Sequence, residues 1–264
     1  MRIHSKAVLA LSLAITAFLA VPAQAVNILN VQNPNFTTYS GSAPKGNFAT
    51  VKPANWTQAS GSGSNLVFID APGTATSSSG GYAVYGPFNN PPTGGNFVQA
   101  DGDPAFERAF YQTITGLTVG QTYQLTFWQA AGQQSGFTGA TTEQWIVSLG
   151  TSALTYTVNN TTHQATYHNA DANASTVATH LMNTPSGGVY NWEQVTINLV
   201  ADSTTDILSF LAWGNGGSTI NQPPTVFLAG INSPKVPEPM TLSLFTAGLA
   251  GLALRRRALK KMKA

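Results

Sequence analysis

Between Thr122 and Trp128 the chain alternates: Tyr123, Leu125 and Phe127 fall on one side of an extended strand, and Gln124, Thr126 and Trp128 on the other. A period of two fits a pleated strand with one face against a core, and no helix presents residues in that way. The same alternation recurs at Val195, Ile197 and Leu199, and at Leu208, Phe210 and Ala212. Further strands are predicted over residues 66–70, 96–101, 109–115, 143–149, 153–158, 190–201, 206–213 and 225–231. About ten short strands separated by Gly, Pro and Asn turns predict an all-β antiparallel sandwich, jelly-roll-like, over residues 26–234. In this reading Trp128 and Trp192 lie on the side away from the core. The polar stretch 163–188 lacks periodicity and is predicted as a loop outside the sandwich. No internal repeat supports a solenoid or propeller.

Composition agrees. Only 8% of the 264 residues are charged, against about 25% in an ordinary domain, and the rest of the polar surface is Thr, Ser, Asn and Gln. That disfavours a helical bundle, whose outer faces need Glu, Lys and Arg. The chain has no cysteine, which excludes a disulfide framework, a thiolate zinc site, an iron–sulfur cluster and a thiol nucleophile. The formal charge of +2 hides a segregation. Between residues 26 and 234 three cations (Lys45, Lys52, Arg108) face nine carboxylates, a net of −6. A body of that sign repels a phosphate backbone, so no nucleic-acid partner is expected.

The basic residues mark the two ends. Arg2 and Lys6 precede an apolar run over 7–21, followed by Ala23 and Ala25 in an Ala-x-Ala arrangement. This is the pattern of a secretory signal peptide, 1–25, with a helical apolar core. It implies the Sec translocon, and signal peptidase cutting between Ala25 and Val26. At the other end Val236, Pro237, Glu238 and Pro239 lead into the apolar run 240–254, and then Arg255, Arg256 and Arg257. Fifteen residues of helix span about 22 Å, short of a hydrocarbon core of about 30 Å, but flanking Arg and Lys can snorkel. Within the segment 235–264 the run 240–254 is therefore expected to form a single transmembrane helix in the inner membrane, basic end in the cytoplasm.

This three-part tail resembles the PEP-CTERM sorting signal of Gram-negative bacteria, also labelled an ice-binding-protein carboxyl-terminal domain. The resemblance covers residues 236–264. It implies recognition by an exosortase, removal of the tail near Pro237–Pro239, a place in the cell envelope or outside it, and association with exopolysaccharide-producing, biofilm-forming cells. The two prolines keep the cleavage segment extended and non-helical.

The body is similar to galactose-binding-like jelly rolls and DUF642-type modules. The likeness rests on Asn33-Pro34-Asn35-Phe36, Trp56, the run from Gly95 to Gly102, Tyr111-Gln112, the run from Gly120 to Phe127, Trp192, Phe210 and the close at Ile231. Where such relatives carry Asn-Gly-x-Phe-Glu and an Asp in the last strand, this chain has Asn33 to Thr37 and Ala229.

Few constellations suggest chemistry. Asp101, Asp103 and Glu107 surround Gly102 and Pro104. Such a turn can offer hard oxygens to a structural calcium, or simply cap its own backbone amides. His163, His168 and His180, with Asp171, lie in the polar stretch without a His-Glu-x-x-His spacing and read as exposed loop histidines. Serines in the segments 61–65 and 79–81 lack a nucleophile-elbow context. Glu143 and Glu193 both fall on predicted strands, and a facing carboxylate pair would suit glycoside hydrolysis. For a sugar platform the preferred aromatics are Trp128, Trp192 and Trp56, since flat rings suit the apolar face of a pyranose. The alternative for each is packing in the core or under a loop. The leading expectation is an exported surface or matrix protein, not an enzyme, that associates non-catalytically with exopolysaccharide. A secreted polysaccharide-modifying hydrolase and a purely structural surface protein are the alternatives.

Overall fold

A computed structural model describes residues 27–48, 50–59, 66–77, 82–106 and 108–232. Within them run the strands Tyr39–Gly41 (β1), Lys45–Asn47 (β2), Val51–Pro53 (β3), Thr57–Gln58 (β4), Val67–Asp70 (β5), Phe97–Asp101 (β6), Phe110–Thr115 (β7) and Thr122–Gln133 (β8). They continue with Thr141–Gly150 (β9), Leu154–Asn159 (β10), Gln164–Asn169 (β11), Ser175–Ala178 (β12), Met182–Thr184 (β13), Val189–Val200 (β14), Thr205–Gly214 (β15) and Pro224–Ala229 (β16). All of the predicted strands form, with ends shifted by a few residues.

Two antiparallel sheets face each other. One has the order β14-β8-β16-β6-β5-β2, the other β12-β9-β15-β7-β4 with β13 also on β9. Their inner faces make the main core, in which Leu125, Phe127, Val226 and Leu228 of the first sheet meet Trp145, Val147, Leu208 and Phe210 of the second. Phe110 and Phe210 stack at 5.4 Å, and Trp145 meets both edge-on. Dropping any of these rings would open a cavity in a close-packed interior.

The outer faces are not free, which is where the structure departs from expectation. Residues 71–77, which follow β5, and 82–96, which lead into β6, lie across the outer face of the first sheet as a strap. Under the strap Phe97, Trp128, Ala130, Phe227 and Ala229 form a second apolar cluster with Ala75, Val84 and Phe88. On the other sheet the β10–β11 hairpin covers Ile146, Leu211 and Trp213 as a third. Hence β9, β15 and β16 are buried along nearly their whole length instead of alternating, as strands covered on both sides are.

Residues 163–188 are not a loop. They hold β11, β12 and β13, the last two extending the edge of the second sheet against β9. These strands have three to six residues, and β11 keeps Gln164, Thr166 and His168 on its exposed side. A two-residue apolar signal, such as Ala165 and Tyr167, is too short to register as alternation. One backbone crossing is tight: Gly214 N–H donates to the Gly102 carbonyl at 2.7 Å. A Cβ on Gly102 would lie 2.8 Å from Gly214 N, so glycine is required there.

Candidate functional site

Strand β14 sits at the edge of the first sheet, and its register against β8 shifts between Tyr190 and Glu193. This bulge re-aims the residues around it. Trp192 turns to the outer face and is half-buried, packing against Phe88, Phe97 and Phe227 at ring distances of 5.8, 5.8 and 6.2 Å. Its Nε1 donates to the Asn89 carbonyl at 2.8 Å. Beside it the exposed amides of Asn89 and Asn191 bond each other at 3.2 Å, and Asn90 and Gln194 are also exposed. An indole edge rimmed by amides is apolar in the middle and polar at its margin, the chemistry of a sugar contact.

The other two aromatics expected in a platform lie elsewhere. Trp128 is 8% exposed beneath the strap, and its Nε1 has no partner. The outer face was the correct side, but the strap fills it. Trp56 is buried in the main core against Phe36, Phe110 and Phe210, its Nε1 donating to the Asn33 carbonyl at 3.2 Å. Only its margin reaches a shallow groove of about 290 Å³ with Phe48, Lys52, Thr57 and Gln58. Trp145, Trp213 and Tyr82 are likewise buried.

Asp101 and Asp103 are both 1% exposed. Asp101 Oδ1 accepts from Asp103 N–H, and Asp103 Oδ1 accepts from Ala105 N–H, each at 2.8 Å. The carboxylates thus cap their own turn. Burial raises Asp103 above the usual carboxylate range and pushes Asp101 up to about 7, where the buried Tyr82 hydroxyl faces it. The same burial and the Asp101 charge hold Tyr82 above its ordinary value. Calcium takes six to eight oxygens. Here Asp103 Oδ2 is the carboxylate oxygen left without a partner, and no group of three metal-ligating side chains occurs among the described residues. The turn fits calcium poorly. Glu107 lies outside the described residues.

Glu143 and Glu193 serve different neighbourhoods. Glu143 is fully buried, accepts from Thr184 Oγ1 at 2.7 Å, and is raised by burial to about 7. Glu193 Oε1 accepts from Gln129 Nε2 at 2.7 Å and faces His180 Nδ1 at 3.0 Å, while Oε2 accepts from Tyr190 OH at 3.1 Å. Its partial burial pushes it up, but these partners outweigh that and hold it below its ordinary value. The two carboxylates share no partner. His168 contacts Thr155 at 2.9 Å, away from His180, so the histidines do not converge. The Glu193 node was not legible in the sequence, because it needs Gln129, His180 and Tyr190 from three separate segments.

Asn232, the last described residue, bonds Thr126 in the first half of β8, and the segments 1–26 and 233–264 lie outside the described residues. Ala23, Ala25, Val26 and the tail residues from Val236 to Arg257 fall there, and the serines in 61–65 and 79–81 lie in internal segments that are likewise outside the described residues. Among the described residues no helix is long and apolar enough to cross a membrane. In sequence, residues 235–257 match the PEP-CTERM protein-sorting motif. The tail is a PEP-CTERM sorting motif. The PEP-CTERM tail implies an exosortase as processing partner and marks the chain as an exported envelope or surface protein of Gram-negative type.

No curated protein matches the chain carrying this PEP-CTERM tail. Among solved structures it is similar in shape to a tailspike enzyme domain of bacteriophage CBA120, with 15% identity, coverage of 77% of this chain and 21% of that one, and a TM-score of 0.35. It is similar also to the K3 cleaved adhesin domain of Lys-gingipain from Porphyromonas gingivalis (17% identity, 70% and 95% coverage, TM-score 0.38). A third is TmCBM61, solved with β-1,4-galactotriose (13%, 77% and 95%, TM-score 0.35). The PEP-CTERM chain spans about a fifth of the tailspike domain's length.

Proposed function

We propose that the sandwich is a non-catalytic surface or matrix module that associates with exopolysaccharide after the PEP-CTERM tail has anchored and then released it. The observation that carries this reading is the Trp192 rim, where a half-buried indole stands among the exposed amides of Asn89, Asn90 and Asn191. The buried core aromatics hold the ring in place, so little side-chain entropy is lost on contact with a sugar. A hydrolase reading would need two carboxylates facing one bond, and Glu143 is sealed in the core while Glu193 is engaged by three partners. In this reading the chain anchors as a single-pass inner-membrane precursor through residues 240–254, and biofilm or floc material is its destination.

The test is retention of residues 26–234 on exopolysaccharide from the producing cells. Asn191→Ala and Asn89→Ala touch exposed side chains and should lower retention several-fold with an unchanged melting temperature. Full retention by both variants, and by Trp192→Phe, would remove the rim from consideration and favour a purely structural role. Release of reducing sugar, lost in Glu193→Gln, would instead favour the hydrolase.

A further inference from the structure

We propose that one pole of the sandwich, the one carrying Ile28, Val119 and Val200, is the face the domain turns to the phospholipid headgroups while its tail is intact. This rests on the reading of the tail as a membrane anchor. Three observations support it.

The first is where the chain leaves. Asn232 N–H donates to the Thr126 carbonyl at 2.6 Å, Thr126 N–H donates back to Asn232 Oδ1 at 3.1 Å, and Asn232 Nδ2 donates to the Leu29 carbonyl at 2.7 Å. The exit point is thereby fixed to Thr126 in the first half of β8, together with the strand-like segment around Ile28, which bridges to Gln124.

The second is reach. Residues 233–239 separate Asn232 from the apolar run that begins at Met240. Seven extended residues span at most about 24 Å. Thr126 is the fifth of the twelve residues of β8, so the near end lies about 14 Å from the exit and the far end about 24 Å, the full span of the tether. Strand β16, antiparallel to β8, delivers the chain towards the near end.

The third is the surface itself. Among the described residues six large hydrophobic side chains are exposed, and three of them lie at this pole: Ile28 at 61%, Val119 at 60% and Val200 at 43%. Val200 pairs with Thr122, and the turn holding Val119 is tied to the end of β14 by Gly120 N–H donating to the Ala201 carbonyl at 2.8 Å. No Lys or Arg occurs in residues 27–31, 115–123, 199–206 or 230–232. Of the acids there, Asp206 is buried and accepts from the Asp202 and Ser203 amides, and Asp202 is half-buried. A face of aliphatic side chains without cations contacts zwitterionic lipid through apolar burial and gains nothing from anionic headgroups. Trp192 then lies eight residues up β14 from Val200, about 27 Å from the pole, and the rim faces away from the membrane.

The natural absence of cysteine makes the test clean. The single variants Val119→Cys, Val200→Cys and, as a distal control, Asn90→Cys would each be labelled with a fluorophore in the chain with its tail intact. The chain would be reconstituted into phosphatidylcholine–phosphatidylethanolamine vesicles bearing headgroup nitroxides. Quenching at 119 and 200 should exceed that at 90 at least three-fold and should not weaken in high salt. Equal quenching at all three sites overturns the orientation. Shielding at 119 that appears only when exosortase is co-reconstituted overturns the lipid and assigns the face to the enzyme. A chain that fails to float with the vesicles overturns the anchor itself, and the proposal with it.

Discussion

The indole Nε1 of Trp145 on β9 donates to the carbonyl of Phe227 on β16 at 3.0 Å, a buried hydrogen bond from one sheet to the other through the core. Trp145 is fully buried and packs edge-on against Phe110 and Phe210. Trp145→Phe removes the donor and leaves a gap, and should cost about 3 kcal/mol in denaturant unfolding. A loss below about 1 kcal/mol would show that the sheets are held by the surrounding apolar contacts alone.

Trp128 and Asn191 separate stability from binding on one face. Trp128→Ala empties the space under the strap and should destabilise by about 3–5 kcal/mol. Asn191→Ala should leave stability within about 0.5 kcal/mol, as exposed substitutions do, while lowering retention on exopolysaccharide. The measurement is a melting curve beside a pull-down for each variant.

The buried carboxyls set a pH dependence of unusual sign. Burial raises Asp101 and Glu143 to about 7, whereas unfolded carboxyls titrate near 4. The folded state therefore holds protons that the unfolded chain releases. Stability from these groups is complete below about pH 4 and lost as the pH rises through about 7. Glu193 and Asp171, held below their ordinary values, act oppositely and lose their contribution only in stronger acid. The melting temperature should be higher at pH 5 than at pH 8 by roughly 5 °C or more. Asp101→Asn combined with Glu143→Gln should flatten that slope; an unchanged slope would show that other groups set it.

Export and anchoring give a prediction at each end. The mature amino terminus should be Val26, read by mass spectrometry of secreted material, and detection of residues 1–25 on it would contradict the cleavage. Deleting residues 236–264 should leave a stable acidic domain in the soluble fraction. Asn232 is the last described residue, and its amide and side chain are already bonded to Thr126 and Leu29. In water the tail would expose Leu242, Leu244, Phe245 and Leu249, an aggregation hazard. A truncated chain that fails to fold would refute the independence of the two parts.

The sequence by itself determined the parts that depend on local order. Period-two alternation specified β8, β14 and β15 and which of their side chains meet the core, because a pleat sends neighbours to opposite faces. The Val236–Pro239 motif, the apolar run and Arg255–Arg257 were readable because a sorting signal is a contiguous stretch. Alternation could not show what covers the second face of a sheet. That is decided by the strap and by the β10–β11 hairpin, which are distant in sequence from the faces they bury. Hence Trp128, placed on the outer side, is enclosed, whereas Trp192, two residues from the ladder partner of Trp128 (Gln194) but on the edge strand, keeps an open margin beside Asn89. Strands β11 to β13 escaped notice because each carries too few apolar residues to beat the polar background, and they form only where β9 and β10 offer a ladder. The Glu193 node and the Asn232 exit likewise exist only in three dimensions, since each draws hydrogen bonds from segments far apart in the chain.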